Sequence, residues 1–460
     1  MRSPFPLAPN RTRRRLCLAA STLLAASLIA AACSSDNLSP LPEQTGPAAP
    51  EWLVERAAGG ATTFEVSDRS YNLSARNVGL EARIRFADGD RVFERFFTEA
   101  DGLGPNFNAD GCNACHFNNG RQEAPLADGY VGIGPVVHVS ARGATETQAP
   151  LALPGYGTRL QTYATNGAPE AQVNLLWVET PGTYPDGATY SLRHPQVSII
   201  GRDGMLPADA EVSLRIPPPV AGPGMLEFVP AADIEAGADP DDLDGNGISG
   251  RVQWSPDEQG GFRIGRHGWK AENFDLTHQS AGALAEDSGI GTNLFPVEGL
   301  VELNDIDLAD LAFYVEALAI PAGRDIDDPD VIAGANLFDT VGCADCHTPE
   351  QRTGVTNAVE LDNLVIYPFT DLLLHDLGEG LDDGRPVLRA SGAEWRTSAL
   401  WGIGLSEVVN GHYSLLHDGR ARSIEEAILW HGGEASPSTD AFKNLDAADR
   451  AKLIRFVQSR

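Results

Sequence analysis

The sequence predicts a mainly α-helical protein in which two similar helical domains flank an irregular, loop-rich middle region with a few short strands. Two observations support this fold class. A predicted helix precedes each of two Cys-x-x-Cys-His motifs, and the segment between the motifs is rich in Gly, Pro and Asp. A chain of 460 residues is also too long for one core of ordinary size, so more than one domain is expected.

The net charge of the chain excludes one class of partner and suits another. A formal net charge of −30 would repel the phosphates of nucleic acid, so no nucleic-acid partner is expected. The same charge suits solubility outside the cytoplasm and a small, positively charged redox donor protein, or a quinol-linked chain, as partner.

Residues 1–33 are predicted to be a signal peptide of the lipoprotein type. A basic segment at residues 11–15 precedes an apolar run at 16–32, which ends at Cys33. Lipidation of Cys33 would make a lipid anchor the only membrane contact; the alternative is ordinary cleavage after small residues. Either outcome predicts export, to the periplasm in a bacterium. Residues 34–75 are expected to form a flexible tether and lead-in.

Four of the six cysteines lie in two Cys-x-x-Cys-His motifs, at residues 112–116 and 343–347. Composition alone predicts roughly 0.002 chance copies of such a pentapeptide. A thioredoxin-like redox pair or a four-cysteine zinc site would leave the histidine after each pair unexplained. The motifs therefore predict two covalently bound haems c. The predicted attachment residues are Cys112, Cys115, Cys343 and Cys346, and the predicted proximal iron ligands are His116 and His347.

The helix ahead of each motif contains Gly-x-x-x-Phe, at residues 89–93 and 334–338, and its glycine permits another helix to cross closely. Asp328 is expected to cap the second helix, and Asp446 a C-terminal helix that packs against it. We therefore expect a cytochrome c-like domain around each motif.

The middle region is predicted to be an irregular bridge with short strands, for example at residues 212–216. The predicted boundaries are 76–150 for the N-terminal haem domain, 151–320 for the bridge and 321–460 for the C-terminal haem domain.

One stretch of the bridge matches the start of a calcium loop. Its predicted ligands are Asp242, Asp244, Asn246 and Ile248, followed by Gln253 where an EF-hand has Glu. A turn rich in Asp and Gly without an ion is the alternative.

His431 is the predicted distal ligand of the second haem. A capping box at residues 423–426 starts a helix, and Ile424, Ala427, Ile428 and His431 then form one apolar stripe. The alternatives are that His431 interacts only with the helix C-terminus, or that His417 is the ligand. Asp418 next to His417 suits a role in orienting an iron ligand as well as ligation itself. Two further residues, Arg420 and Arg422, either contact the haem propionates or are solvated.

The chain resembles the di-haem oxidoreductase family, whose members are peroxidase-like or are called thiol oxidoreductases, and which is related to bacterial di-haem cytochrome c peroxidases. The resemblance covers residues 80–460. It is carried by residues 102–105, 244–251, 265–271, 342–349, 394–397 and 417–422.

The resemblance implies a peroxidase-like oxidoreductase that passes electrons from the C-terminal haem to a reactive N-terminal haem, with a small oxidant such as peroxide as substrate. It places His431 where relatives have an iron ligand. It also makes His138 a candidate distal ligand of the first haem, which otherwise has an open site, and Glu227 a candidate acid–base group rather than a surface residue. A pure electron carrier, and an oxidase or oxygenase of an organic substrate, are the alternative functions.

Overall fold

The computed structural model describes residues 47–125, 127–143 and 150–460. The predicted signal peptide and Cys33 lie outside the described residues. The described residues belong to one compact unit, and the boundaries predicted at 76–150, 151–320 and 321–460 stay predictions.

The helices are short apart from four that build the two motif regions. Their bounds are α1 Leu80–Phe93, α2 Cys112–Cys115, α3 Pro223–Glu227, α4 Ala231–Ala236, α5 Leu276–Ala283, α6 Asp305–Glu316, α7 Pro329–Thr340, α8 Ser406–Asn410, α9 Ile424–Trp430, α10 Ser436–Asn444 and α11 Ala447–Gln458.

The strands form small separate sheets. Their bounds are β1 Thr62–Thr63, β2 Asn106–Phe107, β3 Gly129–Tyr130, β4 Val136–Ser140, β5 Arg159–Leu160, β6 Tyr163–Ala164, β7 Ala171–Thr183, β8 Thr189–Gly201, β9 Glu211–Arg215, β10 Trp254–Pro256, β11 Phe262–Ile264, β12 Ile320–Pro321, β13 Gln351–Arg352, β14 Val365–Ile366, β15 Leu374–Asp376 and β16 Glu394–Arg396.

The prediction of a mainly α protein is wrong. Helix accounts for 29% of the structure and strand for 19%, with many small sheets. The largest departure is a long hairpin, in which β7 and β8 pair in antiparallel register from Ala171 opposite Gly201 to Thr183 opposite Thr189. Val173 and Leu175 alternate with exposed residues along β7, so one face of the hairpin covers a core. Pro181 and Pro195 hid this pattern, because proline is rare inside strands.

Two helix pairs cross at glycine, as the sequence predicted for the helices ahead of the motifs. A Cβ on Gly89 of α1 would lie 2.0 Å from the carbonyl oxygen of Asp310 on α6, and one on Gly334 of α7 would lie 2.0 Å from that of Lys452 on α11. The side chain of Asp328 accepts from the amide of Asp330, and that of Asp446 from the amide of Asp449. Both predicted caps are confirmed.

The described part of the predicted tether and lead-in at residues 34–75 is packed rather than free. Trp52 contacts the rings of Phe369 and Phe456 edge-on, each at a centroid distance of 5.6 Å. Strand β1 pairs in parallel with β12. Apolar burial and strand hydrogen bonds therefore hold this segment in place. Its polar composition had predicted no such packing.

The tip of the β7–β8 hairpin docks against the C-terminal helices. The Tyr184 hydroxyl donates to Glu425 of α9 at 2.8 Å, and Arg450 of α11 pairs with Asp186 at 2.6 Å. The hairpin thus connects the middle of the chain to its end. Among the residues that the structure describes, no helix combines the length and the apolar character needed to cross a bilayer.

Candidate functional site

The first Cys-x-x-Cys-His motif presents one histidine nitrogen for metal binding. Cys112 and Cys115 lie on α2, and His116 follows directly. Nδ1 of His116 lies 2.8 Å from the carbonyl oxygen of Pro218. A carbonyl can only accept, so Nδ1 carries the proton and the Nε2 lone pair is free for a metal. Burial lowers the pKa of His116 to about 4, which keeps the imidazole neutral, the form that ligates.

The second motif repeats this arrangement with different partners. Cys343 lies on a 3-10 helix, Cys343–Asp345, and Nδ1 of His347 donates to the carbonyl oxygen of Phe369 at 3.0 Å. Burial lowers the pKa of His347 to about 4. Both motifs therefore hold a neutral histidine with its Nε2 available.

His431 faces His347 at a separation suited to one shared metal ion. It follows the last turn of α9, where its Nδ1 donates to the carbonyl oxygen of Ala427 at 2.7 Å, leaving Nε2 free. The His347 and His431 ring centroids lie 6.5 Å apart. Metal–nitrogen bonds of about 2 Å on opposite sides of one ion would put two imidazole centroids roughly 6.4 Å apart. The pair therefore fits a haem iron between its rings.

His417 has a different environment. Its ring stacks on Trp395 with centroids 3.9 Å apart and planes 8° from parallel, and its Nε2 lies 3.5 Å from Asp418. Burial lowers the pKa of His417 to about 4. Asp418 in turn pairs with Arg420 at 2.7 Å. His417 thus forms part of the wall of the second cavity, and Asp418 lies beside it outside that wall.

The two arginines predicted to reach propionates already have protein partners. Arg420 pairs with Asp418, and Arg422 pairs with Glu179 and Glu426, each at 2.8 Å. Neither lines a cavity at a Cys-x-x-Cys-His motif.

A large cavity lies at each motif. The empty space, including that open to solvent, is about 1720 Å³ at the first motif and about 1690 Å³ at the second. The first cavity is lined by Cys112, Cys115, His116 and His138, and the second by Cys343, Cys346, His347, His417 and His431.

The predicted residues His138 and Glu227 take different positions. His138, on β4, lines the first cavity, and burial, followed by the nearby Arg215, Arg159 and Arg385, lowers its pKa. Glu227 does not line that cavity. It accepts from the amide of Leu276 at 2.8 Å and lies 3.6 Å from Nε2 of His267, which does line it.

The sequence model of a family described as "Di-haem oxidoreductase, putative peroxidase" matches residues 53–131, 151–305 and 296–460. The chain belongs to this family. No curated protein and no solved structure matches the chain.

Membership of the di-haem oxidoreductase family establishes haem as the cofactor. The donor set fits it, since each Cys-x-x-Cys-His motif has its own cavity and a histidine whose Nδ1 is already hydrogen-bonded. The two cavities also share a wall, formed by Arg121, Pro219, Ala221, Trp269, Arg396, Ser398, Ala399 and Trp401.

The sequence interpretation assigned no role to His375, which lies beside the second motif. Its ring nitrogens lie 2.8 Å from Asp371 and 2.9 Å from Glu434, and Nδ1 lies 3.7 Å from the sulfur of Cys346. Burial opposes a charge here, but these three hydrogen bonds outweigh it and raise the pKa of His375 to about 12. His375 is thus an imidazolium at the second haem cavity. The only sequence signal was that residues 373–376 echo 415–418.

The predicted calcium loop brings together a partly different set of residues. Oxygen atoms of Asp239, Asp242 and Asp244 lie within 4.8 Å of one another. Asn246 instead donates its amide to Asp244 at 3.1 Å and accepts from the amide of Ile248 at 2.8 Å. Asp239 was missed because it precedes the motif by three residues.

Gln253, at the twelfth position of that loop, is buried elsewhere. Its amide donates to the carbonyl oxygens of Lys270 and Val387. It therefore lies outside the cluster of aspartates.

Proposed function

We propose that this protein is an exported di-haem c-type cytochrome with peroxidase-like oxidoreductase activity. The observation that carries the proposal is the repeated geometry of the two Cys-x-x-Cys-His motifs, each with a cavity and a histidine whose Nε2 is free. Family membership supports the oxidoreductase class.

In this proposal the haems are covalently attached. Thioether bonds join one haem to Cys112 and Cys115 and the other to Cys343 and Cys346, with His116 and His347 as proximal ligands. Haem would supply one-electron chemistry at both sites and peroxide reduction at the first. The protein's own contribution is to fix the histidine tautomers, exclude water and place proton donors.

The two sites take different roles because their distal sides differ. His431 would hold the second iron together with His347, and this arrangement would suit electron entry from a positively charged donor protein. The wall that the two cavities share, which contains Trp269 and Trp401, is where electrons would pass to the first haem. The net reaction is H₂O₂ + 2 H⁺ + 2 e⁻ → 2 H₂O.

Glu227 would act in proton transfer only through His267. The carboxylate lies outside the first cavity, and His267 stands between it and the cavity with Nε2 at 3.6 Å. A histidine oriented by a carboxylate is a common acid–base arrangement.

The second candidate function is that of a pure electron carrier. It is favoured by His138, because a second histidine in the first cavity could close that iron to substrates. Oxidation of an organic substrate is a third possibility with the same cofactors.

Export is proposed from the sequence of residues 1–33, with Cys33 as the lipid anchor and the periplasm as the compartment. Calcium at the aspartates of residues 239–244 is proposed as an additional ion.

The experiment is mass spectrometry of the denatured protein followed by spectroscopy of the native one. Two haem additions are expected, and Cys346→Ala should remove one of them. The half-reduced protein should show a high-spin haem that reacts with peroxide. Two low-spin haems that do not react would favour the electron carrier, and bound zinc without haem would refute the cytochrome assignment.

A further inference from the structure

We propose that Arg121 and Arg396 bind the propionates of both haems and thereby couple the two redox centres. The inference rests on the proposed binding of two haems, but not on peroxide as the substrate.

Arg121 and Arg396 both lie in the wall between the two cavities. Arg121 follows the first motif in the chain, whereas Arg396 ends β16 in the C-terminal region. Both nevertheless line both cavities, and they are the arginines of the wall that the cavities share. A charge in this wall acts on either side of it.

The absence of a carboxylate partner is the second observation. Within the described part of the chain, neither guanidinium has a carboxylate oxygen within 4.0 Å. Arg396 donates to the carbonyl oxygens of Gly268 at 3.3 Å and Thr397 at 2.9 Å. Arg121 donates to that of Leu416 at 3.5 Å and lies 5.5 Å from the Trp269 ring centroid. Carbonyl oxygens leave the full positive charge uncompensated.

Arg159 and Arg215 of the first cavity are paired with carboxylates, whereas Arg266 donates to the carbonyl oxygens of Ile264 and Val229 and lines the first cavity but not the second. Arg159 contacts Glu286 and Asp287, and Arg215 contacts Glu272 at 3.3 Å and Asp383 at 3.2 Å. Glu272 and Asp371 are the carboxylates that act on Arg396 over a longer distance. Both have partners of their own, in Arg215 and His375.

Arg121 and Arg396 are half-buried, and cations withdrawn from water without a partner are costly, so anionic groups of what fills the cavities would offset that cost. Burial lowers the pKa of both Arg121 and Arg396 to about 10, the direction expected for a cation held away from water. Each haem carries two carboxylates on propionate chains, and guanidinium groups bind carboxylates through paired hydrogen bonds. The two unpaired arginines and the propionates therefore complement each other.

The consequence is a change in potential at both haems. Reduction lowers the positive charge of an iron, so a nearby cation favours the reduced state. Replacing either arginine by glutamine should lower both midpoint potentials. If an arginine served a single haem, its replacement would lower the midpoint potential of that haem only.

The test is spectroelectrochemical titration of the haem-loaded Arg121→Gln and Arg396→Gln variants. The matched control is Arg422→Gln, because Arg422 is paired with Glu179 and Glu426 and lines neither cavity. We expect two lowered potentials in each test variant and unchanged potentials in the control. A shift of one potential alone would overturn the sharing, and no shift would overturn propionate binding.

Lysine variants keep the inference testable if a glutamine variant does not fold. Arg396→Lys retains the charge but loses the paired hydrogen bonds. The propionate bending bands of both haems in the resonance Raman spectrum should then shift, and unshifted bands would count against the proposal. If both potentials shift but the protein does not react with peroxide, the inference is supported and the peroxidase function is refuted.

Discussion

At the scale of single residues, one hydrogen bond decides which histidine nitrogen can bind iron. His116, His347 and His431 each donate Nδ1–H to a carbonyl oxygen, of Pro218, Phe369 and Ala427 respectively. In each ring the bond fixes the tautomer and leaves Nε2 as the ligand atom. The role of His431 as distal ligand stays a prediction, now with a geometry that fits it.

Replacing His431 by alanine should convert one haem from low spin to high spin, while both haems stay covalently attached. The physical reason is that alanine has no nitrogen to replace the His431 Nε2 on the side that faces His347. Electron delivery to the first haem should slow, and His431→Met should restore a low-spin centre at a higher potential. Optical and paramagnetic resonance spectra check the spin state.

His417→Ala is the matched control for that prediction. His417 lines the same cavity but is stacked on Trp395, so its loss should leave both spin states unchanged. A spin change in His417→Ala and none in His431→Ala would reverse the two assignments.

At the scale of elements, two glycines set the distance between crossing helices. Helices α1 and α6 cross at Gly89, and α7 and α11 cross at Gly334. The second crossing lies beside Phe338, Leu453 and Phe456, which belong to the core around the C-terminal motif. The helix pair is therefore part of what holds the second haem cavity in shape.

Gly334→Ala should lower the free energy of unfolding by about 1–3 kcal/mol, because the added methyl would overlap the carbonyl oxygen of Lys452. Chemical denaturation of the haem-loaded protein measures this change. Gly237→Ala is the control, since its Cβ would approach no atom closer than 3.6 Å. Equal stabilities of the two variants would show that α11 can move away without cost.

At the scale of the whole molecule, contacts between distant segments join the middle region to the C-terminal haem site. The β7–β8 hairpin reaches α9 and α11 through Tyr184 and Asp186. The predicted calcium loop contacts the second haem site separately. Ser249, which follows the loop aspartates, donates to Glu434 at 2.6 Å, and Glu434 is hydrogen-bonded to His375 beside the second motif. The loop thus bears on the second haem site through a short chain of hydrogen bonds.

Asp244→Ala should remove bound calcium and lower the stability of the protein, because the loop would lose one of its three clustered carboxylates. Metal analysis and thermal unfolding check this, and chelator-treated wild type should match the variant. Asp376→Ala, at the end of β15 and outside the cluster, is the control. Active protein without calcium would refute the ion site.

The sequence by itself determined the features whose causes lie within a few residues of chain. The two motifs predict His116 and His347 as haem ligands, side-chain caps begin α7 and α11 at Asp328 and Asp446, and the period of α9 predicts that His431 lies on its apolar face. Each follows from local chemistry or from the geometry of one helix.

Only the tertiary structure decided which groups surround those ligands. The carbonyl oxygens of Pro218 and Phe369, the carboxylate of Glu434 beside His375, and the shared wall with Arg121 and Arg396 come from segments that are distant in sequence. The β-rich middle region was missed for a related reason. Its prolines oppose strand formation locally, and pairing along the hairpin with burial against the neighbouring sheet overrides that preference. Propensity acts within a segment, whereas burial and charge pairing depend on what the rest of the chain brings to it.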